Sequence, residues 1–155
     1  MPHRFLLLLE HLQIFIARIG EEGIALVGIV IVSHSKKLAE GIKELTQQMA
    51  DRQLRIIAAG GMEEGTLGTD SIKISKAILE ADTGDGVVVL VDLGSGILSA
   101  ETAIELLDEE YFNTVKIADA PIVEGAVIAV IQASLGGTLA EVIHAAEEAR
   151  GMQKL

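Results

Sequence analysis

The feature that most constrains this chain is an apolar run from Val27 to Val32, interrupted only by Gly28, that ends on Ser33-His34-Ser35. Most of its residues are β-branched, and such a run predicts a strand buried on both faces of a parallel sheet. A helical pattern begins at Lys36, so His34 lies where a central strand passes into a helix. Ligands and chemistry collect at this edge of open α/β sheets.

The rest of the chain alternates strand and helix patterns, which predicts β-α-β units with right-handed crossovers. The predicted strands after the first cover residues 54–58, 87–91 and 114–117, and the predicted helices cover residues 36–52, 70–81, 98–108, 123–134 and 138–150. The runs ending at Val32 and Val91 are the most continuously apolar, so we expect them to be central neighbours. The sequence thus predicts a three-layer, doubly wound α/β fold with a mostly parallel sheet in the order 2-1-3-4 and helices on both faces.

Apolar spacing also predicts which helical residues face the sheet. In the first helix these positions are Leu38, Ile42, Leu45 and Met49, and in the second they are Ile72, Ile74, Ala77 and Ile78. At the start of the last helix, Thr138 and Glu141 have the spacing of a capping box.

Composition limits the possible functions. Half of the 155 residues are hydrophobic, yet the chain has one Tyr, three Phe and no Trp, so Val, Ile, Leu and Ala must build the core. The chain has no Cys, and no cluster of His and carboxylates has metal-ligand spacing, so we expect no disulfide and no metal site. A net charge of −11 argues against binding to nucleic acid or to an anionic membrane, and we expect a cytoplasmic protein.

Residues 1–26 form a separate, apolar extension. Residues 5–19 are too short and too often interrupted for a spanning helix, which needs about 20 apolar residues. Glu10 also argues against a secretory signal. Two interpretations remain: a misassigned start, with the natural chain beginning near Val27, or an amphipathic docking helix. The apolar stripe of that helix would be Leu8, Leu12, Phe15 and Ile19. We expect one domain over residues 27–150, followed by a tail over 151–155.

His34 and Asp92 are the candidate catalytic residues. The predicted strand order brings the ends of the first and third strands together, which places Asp92 beside His34. An imidazole is a good nucleophile near neutral pH, and a neighbouring carboxylate can fix its tautomer and stabilise its charged form. The sequence therefore predicts that His34 carries a phosphoryl group and that Asp92 orients it. The alternative is a loop histidine bonded to the backbone.

Several small or hydroxyl-bearing residues at the same edge are candidates for binding phosphate. They are Ser33, Ser35, Gly60, Gly61, Thr66, Gly68, Thr69, Gly94 and Ser95. Backbone N–H groups before a helix can hold a phosphate, although the glycine-rich loop has no P-loop pattern. It is alternatively a flexible connection, with Thr69 capping the next helix and Ser35 capping the first. Residues 94–96 are predicted to form a tight turn, and Asp119 either lines this edge or belongs to a turn.

Six segments, in this order, resemble the DhaM family, which comprises phosphotransfer subunits of phosphoenolpyruvate-dependent dihydroxyacetone kinases and is related to the mannose-type IIA domains. The segments are residues 30–35, 58–61, 65–69, 84–87, 91–95 and 119–126. The Ser-His-Ser sequence and segment 119–126 favour DhaM over a sugar-transporting IIA domain.

This resemblance implies a reaction and a set of partners. His34 would accept a phosphoryl group from the phosphohistidine of HPr and pass it to ADP, which the DhaL subunit holds with magnesium. DhaL and DhaK would then phosphorylate dihydroxyacetone. The resemblance also implies a homodimer and no cofactor bound to this chain. Some family members carry fused HPr-like and enzyme-I-like domains, and here we expect separate proteins to supply those activities.

Two other functions fit parts of the pattern. A sugar-specific mannose-type IIA domain would use the same chemistry but hand the phosphoryl group to a IIB domain. A flavodoxin-like module that binds a nucleotide or a flavin would use the same fold, although this chain has few aromatic residues for ring stacking.

Overall fold

One parallel sheet with helices on both faces forms the fold. The computed structural model describes residues 25–155 and the single position Leu9. The strands are β1 (Gly28–Ser33), β2 (Ile56–Gly60), β3 (Val87–Val91) and β4 (Val115–Ile117). All pairs are parallel and the order is β2-β1-β3-β4. The helices within residues 25–155 are α1 (Lys36–Gln47), α2 (Ser71–Ala81), α3 (Gly94–Glu105), α4 (Ile122–Ser134) and α5 (Leu139–Glu148), with 3₁₀ turns at Glu109–Tyr111 and Ala149–Gly151. The predicted fold class and strand order are confirmed.

The sheet separates two apolar cores. Because side chains alternate along a strand, β1 sends Ile29 and Ile31 into a core with α1, α4 and α5, and it sends Val30 and Val32 into a core with α2 and α3. Every residue of β1 and β3 is buried. The continuous apolar runs therefore reflect burial on both faces.

The register brings three strand ends to one edge of the sheet. Val32 of β1 pairs with Val91 of β3, and Ser33 pairs with Gly60 of β2. Helix α1 leaves β1 toward one face, whereas α3 leaves β3 toward the other. This reversal makes the edge between β1 and β3 the topological switch point, where ligands bind in doubly wound folds.

Helix α1 differs from its prediction in both length and orientation. It ends at Gln47 rather than Arg52. Its buried residues are Ala39, Ile42 and Thr46, whereas three predicted inner residues are exposed: Leu38, Leu45 and Met49. The cause is close packing, because a Cβ added to Gly60 of β2 would lie 2.7 Å from the Cβ of Ala39. At this distance only small side chains fit between helix and strand, so the large ones lie on the flank.

Other elements differ in smaller ways. Ile72 is exposed in the first turn of α2, so its predicted inner position is wrong, although Ile74, Ala77 and Ile78 are buried as predicted. Strand β2 lies two residues later than predicted, and α3 begins four residues earlier. The predicted capping box of α5 is confirmed, with Thr138 and Glu141 making both reciprocal bonds.

Two predictions concern the amino-terminal region. The amphipathic stripe and the alternative start fall outside the described residues, and the predicted domain limits stay a prediction. In the part of the chain that the structure describes, every helix is too short or too polar to cross a membrane.

Candidate active site

His34 and Asp92 meet at the carboxyl ends of β1 and β3. His34 is the first residue after β1 and Asp92 is the first after β3, so the pairing of these strands brings them together. Nδ1 of the imidazole lies 2.9 Å from Oδ1 of Asp92. The side chain of His34 is 26% exposed and that of Asp92 is 10% exposed. The ring therefore reaches solvent while its carboxylate partner is largely enclosed.

Four hydrogen bonds hold the Asp92 carboxylate. Oδ1 accepts from the His34 ring and from the Leu93 N–H at 2.7 Å, and Oδ2 accepts from the His34 N–H at 3.0 Å and the Ser33 hydroxyl at 2.8 Å. Partial burial alone would raise the pKa of Asp92, but the bonds from His34, Ser33 and Leu93 together lower it below its usual value. Asp92 is consequently an anion with a fixed orientation.

The carboxylate determines the tautomer of His34. An ionised carboxylate only accepts hydrogen bonds, so Nδ1 carries the ring proton and donates it to Asp92. In the neutral ring Nε2 then keeps its lone pair, and it lies 2.6 Å from the hydroxyl of Ser95, which donates to it in this tautomer. Nε2 is therefore the ring nitrogen that can act as a nucleophile in this arrangement.

The start of α3 lies against the imidazole. Residues 94–96 were predicted as a turn, but they form the first turn of this helix. A Cβ on Gly96 would lie 2.6 Å from Cγ1 of Val91 and 3.6 Å from Cε1 of His34, so glycine permits the close approach. Leu93 provides no side-chain cap, and the first-turn N–H groups of Gly94 and Ser95 have no partner within the helix. These donors belong to the same helix turn as the Ser95 hydroxyl that contacts Nε2.

The hydroxyl groups of Ser33 and Ser35 make hydrogen bonds within the protein, next to His34. Ser33 is fully buried, and its hydroxyl donates to Asp92 and accepts from the Ser35 N–H at 3.0 Å. The Ser35 hydroxyl accepts from the Leu38 N–H and caps α1. Ser35 thus caps α1, and contact of either serine with a phosphoryl group stays a prediction.

Two glycines of the glycine-rich loop hold the backbone of the site. The N–H of Gly61 donates to the Ser33 carbonyl at 3.0 Å, and the N–H of Gly68 donates to the His34 carbonyl at 2.9 Å. Both glycines have positive φ, at 70° and 142°, which residues with a Cβ rarely adopt. Gly60 packs against the start of α1. Contact of these three glycines with a phosphoryl group stays a prediction.

The two threonines of the loop have different environments. The Thr66 carbonyl accepts from the Met62 N–H, which closes a turn inside the loop. The Thr69 hydroxyl lies 2.6 Å from that of Ser99 on α3, and Asp70 rather than Thr69 caps α2. The predicted cap at Thr69 is therefore wrong. A bond from either hydroxyl to phosphate stays a prediction.

Sequence reasoning missed two residues beside this loop. Ser99 lies one turn after Ser95 on α3, and this spacing could have identified it. Lys73, in the first turn of α2, donates from Nζ to the carbonyls of Gly60 at 3.1 Å and Gly61 at 3.4 Å. No motif points to a lysine that bonds a strand end thirteen residues earlier.

Asp119 belongs to a separate polar cluster. Its carboxylate pairs with Arg150 at 3.1 Å, and its backbone N–H donates to Glu147. It is thus a turn aspartate at the end of β4. Among the residues described, no group of three or more His, Asp or Glu side chains is arranged to hold a metal ion.

Large apolar side chains are exposed near the histidine. Leu67 precedes Gly68 and is 79% exposed, Leu93 follows Asp92 and is 63% exposed, and Leu98 on α3 is 66% exposed. These three residues lie in the loop and helix segments that flank the site, and contiguous exposed apolar area is typical of surfaces that contact other proteins.

The chain is similar in sequence to one family model and to several known proteins. The EIIA-man family, described as "PTS system fructose IIA component", matches residues 28–143. The "PEP-dependent dihydroxyacetone kinase 2, phosphoryl donor subunit DhaM" of Listeria innocua is 43% identical over 107 residues, which are 69% of this chain and 86% of that protein. The corresponding DhaM subunit of Providencia stuartii is 40% identical over 127 residues and 80% of this chain, but the chain spans only 27% of that relative.

A solved structure shares both fold and sequence with the chain. The crystal structure of the unknown function protein EF1359 is 38% identical, with a TM-score of 0.75, and the match covers 83% of this chain and 98% of that one.

Proposed function

The chain belongs to the EIIA-man family, with DhaM subunits among its relatives, and on this premise we propose that it is a phosphohistidine carrier. His34 accepts a phosphoryl group from HPr and passes it to ADP on a DhaL subunit, which with DhaK phosphorylates dihydroxyacetone. One observation carries the proposal: Asp92 holds Nδ1 of His34, which leaves Nε2, beside the Ser95 hydroxyl at a partly exposed position, as the nucleophilic ring nitrogen.

The first transfer is an in-line displacement. Nε2 of His34 attacks the phosphorus of the donor phosphohistidine, a new P–N bond forms, and the donor's P–N bond breaks with its electron pair returning to the donor imidazole. Nδ1–H remains bonded to Asp92, whose negative charge stabilises the positive charge that develops on the His34 ring.

The start of α3 supplies donors for the transferred group. Once Nε2 bonds to phosphorus, the Ser95 hydroxyl is released from that nitrogen and can donate to a phosphoryl oxygen. The N–H groups of Gly94 and Ser95 lie at the positive end of the helix dipole and favour the same anion. In the second transfer, a terminal phosphate oxygen of ADP attacks phosphorus and His34 is regenerated. Magnesium-bound ADP belongs to the partner subunit in this proposal.

The surface around His34 suits a protein partner. Exposed Leu67, Leu93 and Leu98 provide apolar area that another protein can cover, and covering it excludes water that would hydrolyse the phosphohistidine. We further propose that the carrier is cytoplasmic and forms a homodimer, which light scattering would detect as twice the chain mass of 16.4 kDa.

Phosphorylation by purified proteins tests the proposal. The chain is incubated with phosphoenolpyruvate, enzyme I and HPr, and we expect an acid-labile, base-stable phosphate on His34. His34→Ala should abolish the label, whereas His144→Ala should keep it, because His144 is exposed on α5 and pairs only with Glu148 at 3.3 Å among the described residues. Full labelling of His34→Ala would refute the proposal.

A chase identifies the acceptor. The labelled chain is mixed either with DhaL and ADP or with a IIB domain of a sugar system. Rapid loss of label to DhaL and ADP supports the dihydroxyacetone pathway, and transfer to the IIB domain alone would contradict it.

A further inference from the structure

The glycine-rich loop is closed at its base by one side chain. Residues 61–69 leave β2 after Gly60 and enter α2 through its cap, Asp70. Lys73 is half-buried in the first turn of α2, and its ammonium group donates to the carbonyls of Gly60 and Gly61. The lysine therefore joins the two ends of the loop, which is the arrangement of compact loops whose ends lie close together.

The residues that Lys73 holds are those that support His34. Gly61, whose carbonyl binds the lysine, donates its own N–H to the Ser33 carbonyl, and Gly68 in the same loop donates to the His34 carbonyl. A hydrogen-bonded path thus runs from the ammonium group through Gly61 to the backbone just before the histidine. The far end of the loop is joined to α3 through Thr69 and Ser99.

We infer that Lys73 is a positioning residue for phosphoryl transfer at His34, an inference that rests on the proposed function. Its ammonium group binds two carbonyl oxygens at the end of β2. These bonds keep the loop in the conformation in which Gly61 and Gly68 donate to the backbone of Ser33 and His34. Without the charge the loop loosens, and Nε2 spends less time in line with the incoming phosphorus. The expected effect is a slower transfer step with unchanged donor binding, because the lysine side chain is directed at carbonyls rather than at a partner.

Lys76 offers a matched control on the same helix. It lines the same cavity of about 280 Å³ between β2 and α2 as Lys73, but within the described part of the chain its ammonium group makes no hydrogen bond or ion pair. Changing Lys76 removes the same charge from the same helix without touching the loop.

The absence of cysteine in the sequence permits a test with a restored charge. Lys73→Cys introduces a single thiol, which 2-bromoethylamine converts to a lysine-like ammonium and iodoacetamide converts to a neutral amide. Transfer from phosphorylated HPr is measured for both adducts. We expect kcat of the neutral adduct to fall about tenfold with KM unchanged, the lower end of the effect of losing a charged hydrogen bond. The aminoethyl adduct should recover to within about twofold of the native rate.

A second measurement does not need phosphoryl transfer. Amide hydrogen exchange of Gly61 and Gly68 is followed in the unphosphorylated protein, and we expect faster exchange in the neutral adduct and recovery in the aminoethyl adduct. The same adducts at Lys76→Cys should leave both amides and the transfer rate unchanged. Unchanged exchange in the neutral Lys73→Cys adduct would show that Lys73 does not hold the loop, and would overturn the inference.

The two proposals fail in different ways. If the native chain acquires no label on His34, the proposed function is wrong. If the native chain is labelled and the two Lys73→Cys adducts are labelled at equal rates, only the role of Lys73 is wrong.

Discussion

Replacing Asp92 with asparagine tests the hydrogen bonds at the centre of the site. Each carboxylate oxygen of Asp92 accepts two hydrogen bonds, and an amide offers only one such oxygen. If the amide NH₂ takes the position of Oδ2, its N–H groups face two other donors, the His34 N–H and the Ser33 hydroxyl, which both lose their acceptor. If it faces the Oδ1 side, it opposes the Leu93 N–H and forces the ring proton from Nδ1 to Nε2, which removes the nucleophilic lone pair.

Both arrangements have costs that can be estimated. A poorly solvated N–H left without an acceptor costs about 1–3 kcal/mol, so Asp92→Asn should lose stability in that range. Losing the charged bond that stabilises the ring in the transition state costs about 2–3 kcal/mol. At about 1.4 kcal/mol for each factor of ten, transfer should slow by roughly 30- to 150-fold.

Two quantities are measured: the rate of phosphoryl transfer from phosphorylated HPr, and the free energy of unfolding in urea. Asp119→Asn is the control, because Asp119 carries the same group at the end of a neighbouring strand but pairs with Arg150 at the surface. We expect this control to retain native kinetics. A folded Asp92→Asn protein that accepts phosphate within about threefold of the native rate would refute the reasoning.

Three further predictions concern the site and the fold. Ser95→Ala should slow transfer about fivefold to tenfold while changing stability by less than about 0.5 kcal/mol, because the hydroxyl bonds to Nε2 at an exposed position; kinetics and urea unfolding check both values. Gly28→Ala should destabilise the fold by about 3 kcal/mol, because the added Cβ would lie 2.2 Å from the Ala81 carbonyl oxygen. Gly41→Ala, in open space on α1, should instead stabilise it by about 0.5–1 kcal/mol, and equal effects in urea unfolding would contradict the close packing at Gly28. Because the folded-state pKa of Asp92 is lowered, its contribution to stability is fully present above the ordinary aspartate range and is lost as pH falls through the folded value. The stability gap between native protein and Asp92→Asn should therefore stay constant down to that range and shrink at lower pH in urea titrations.

The sheet could be predicted from sequence because its two central strands are apolar throughout. Burial on both faces leaves no alternation, and the two most apolar runs, ending at Val32 and Val91, are indeed neighbours. The face of α1 could not be predicted in the same way. Large apolar residues usually mark the inner side of a helix, but the contact between Ala39 and Gly60 is too close for them.

The candidate site was predictable where it depends on strand ends. Parallel pairing requires residues that follow neighbouring strands to meet, and this rule, together with the strand order predicted from the two most apolar runs, placed Asp92 beside His34. The partners of the loop N–H groups depend on how the loop folds over the strand ends, which no local pattern encodes. The bonds from Gly61 and Gly68 to the backbone, and the bond from Lys73 to Gly60, therefore required the structure.

The proposed mechanism requires that phosphorus bonds to one particular ring nitrogen of His34, and NMR can identify that nitrogen. Long-range proton–nitrogen NMR spectra of the ¹⁵N-labelled chain, recorded before and after phosphorylation by HPr, distinguish the two ring nitrogens of His34. We expect a proton on Nδ1 before transfer, and phosphorus on Nε2 with the Nδ1 proton retained after it. A proton on Nε2 in the free protein, or phosphorus on Nδ1 afterwards, would contradict the proposed mechanism.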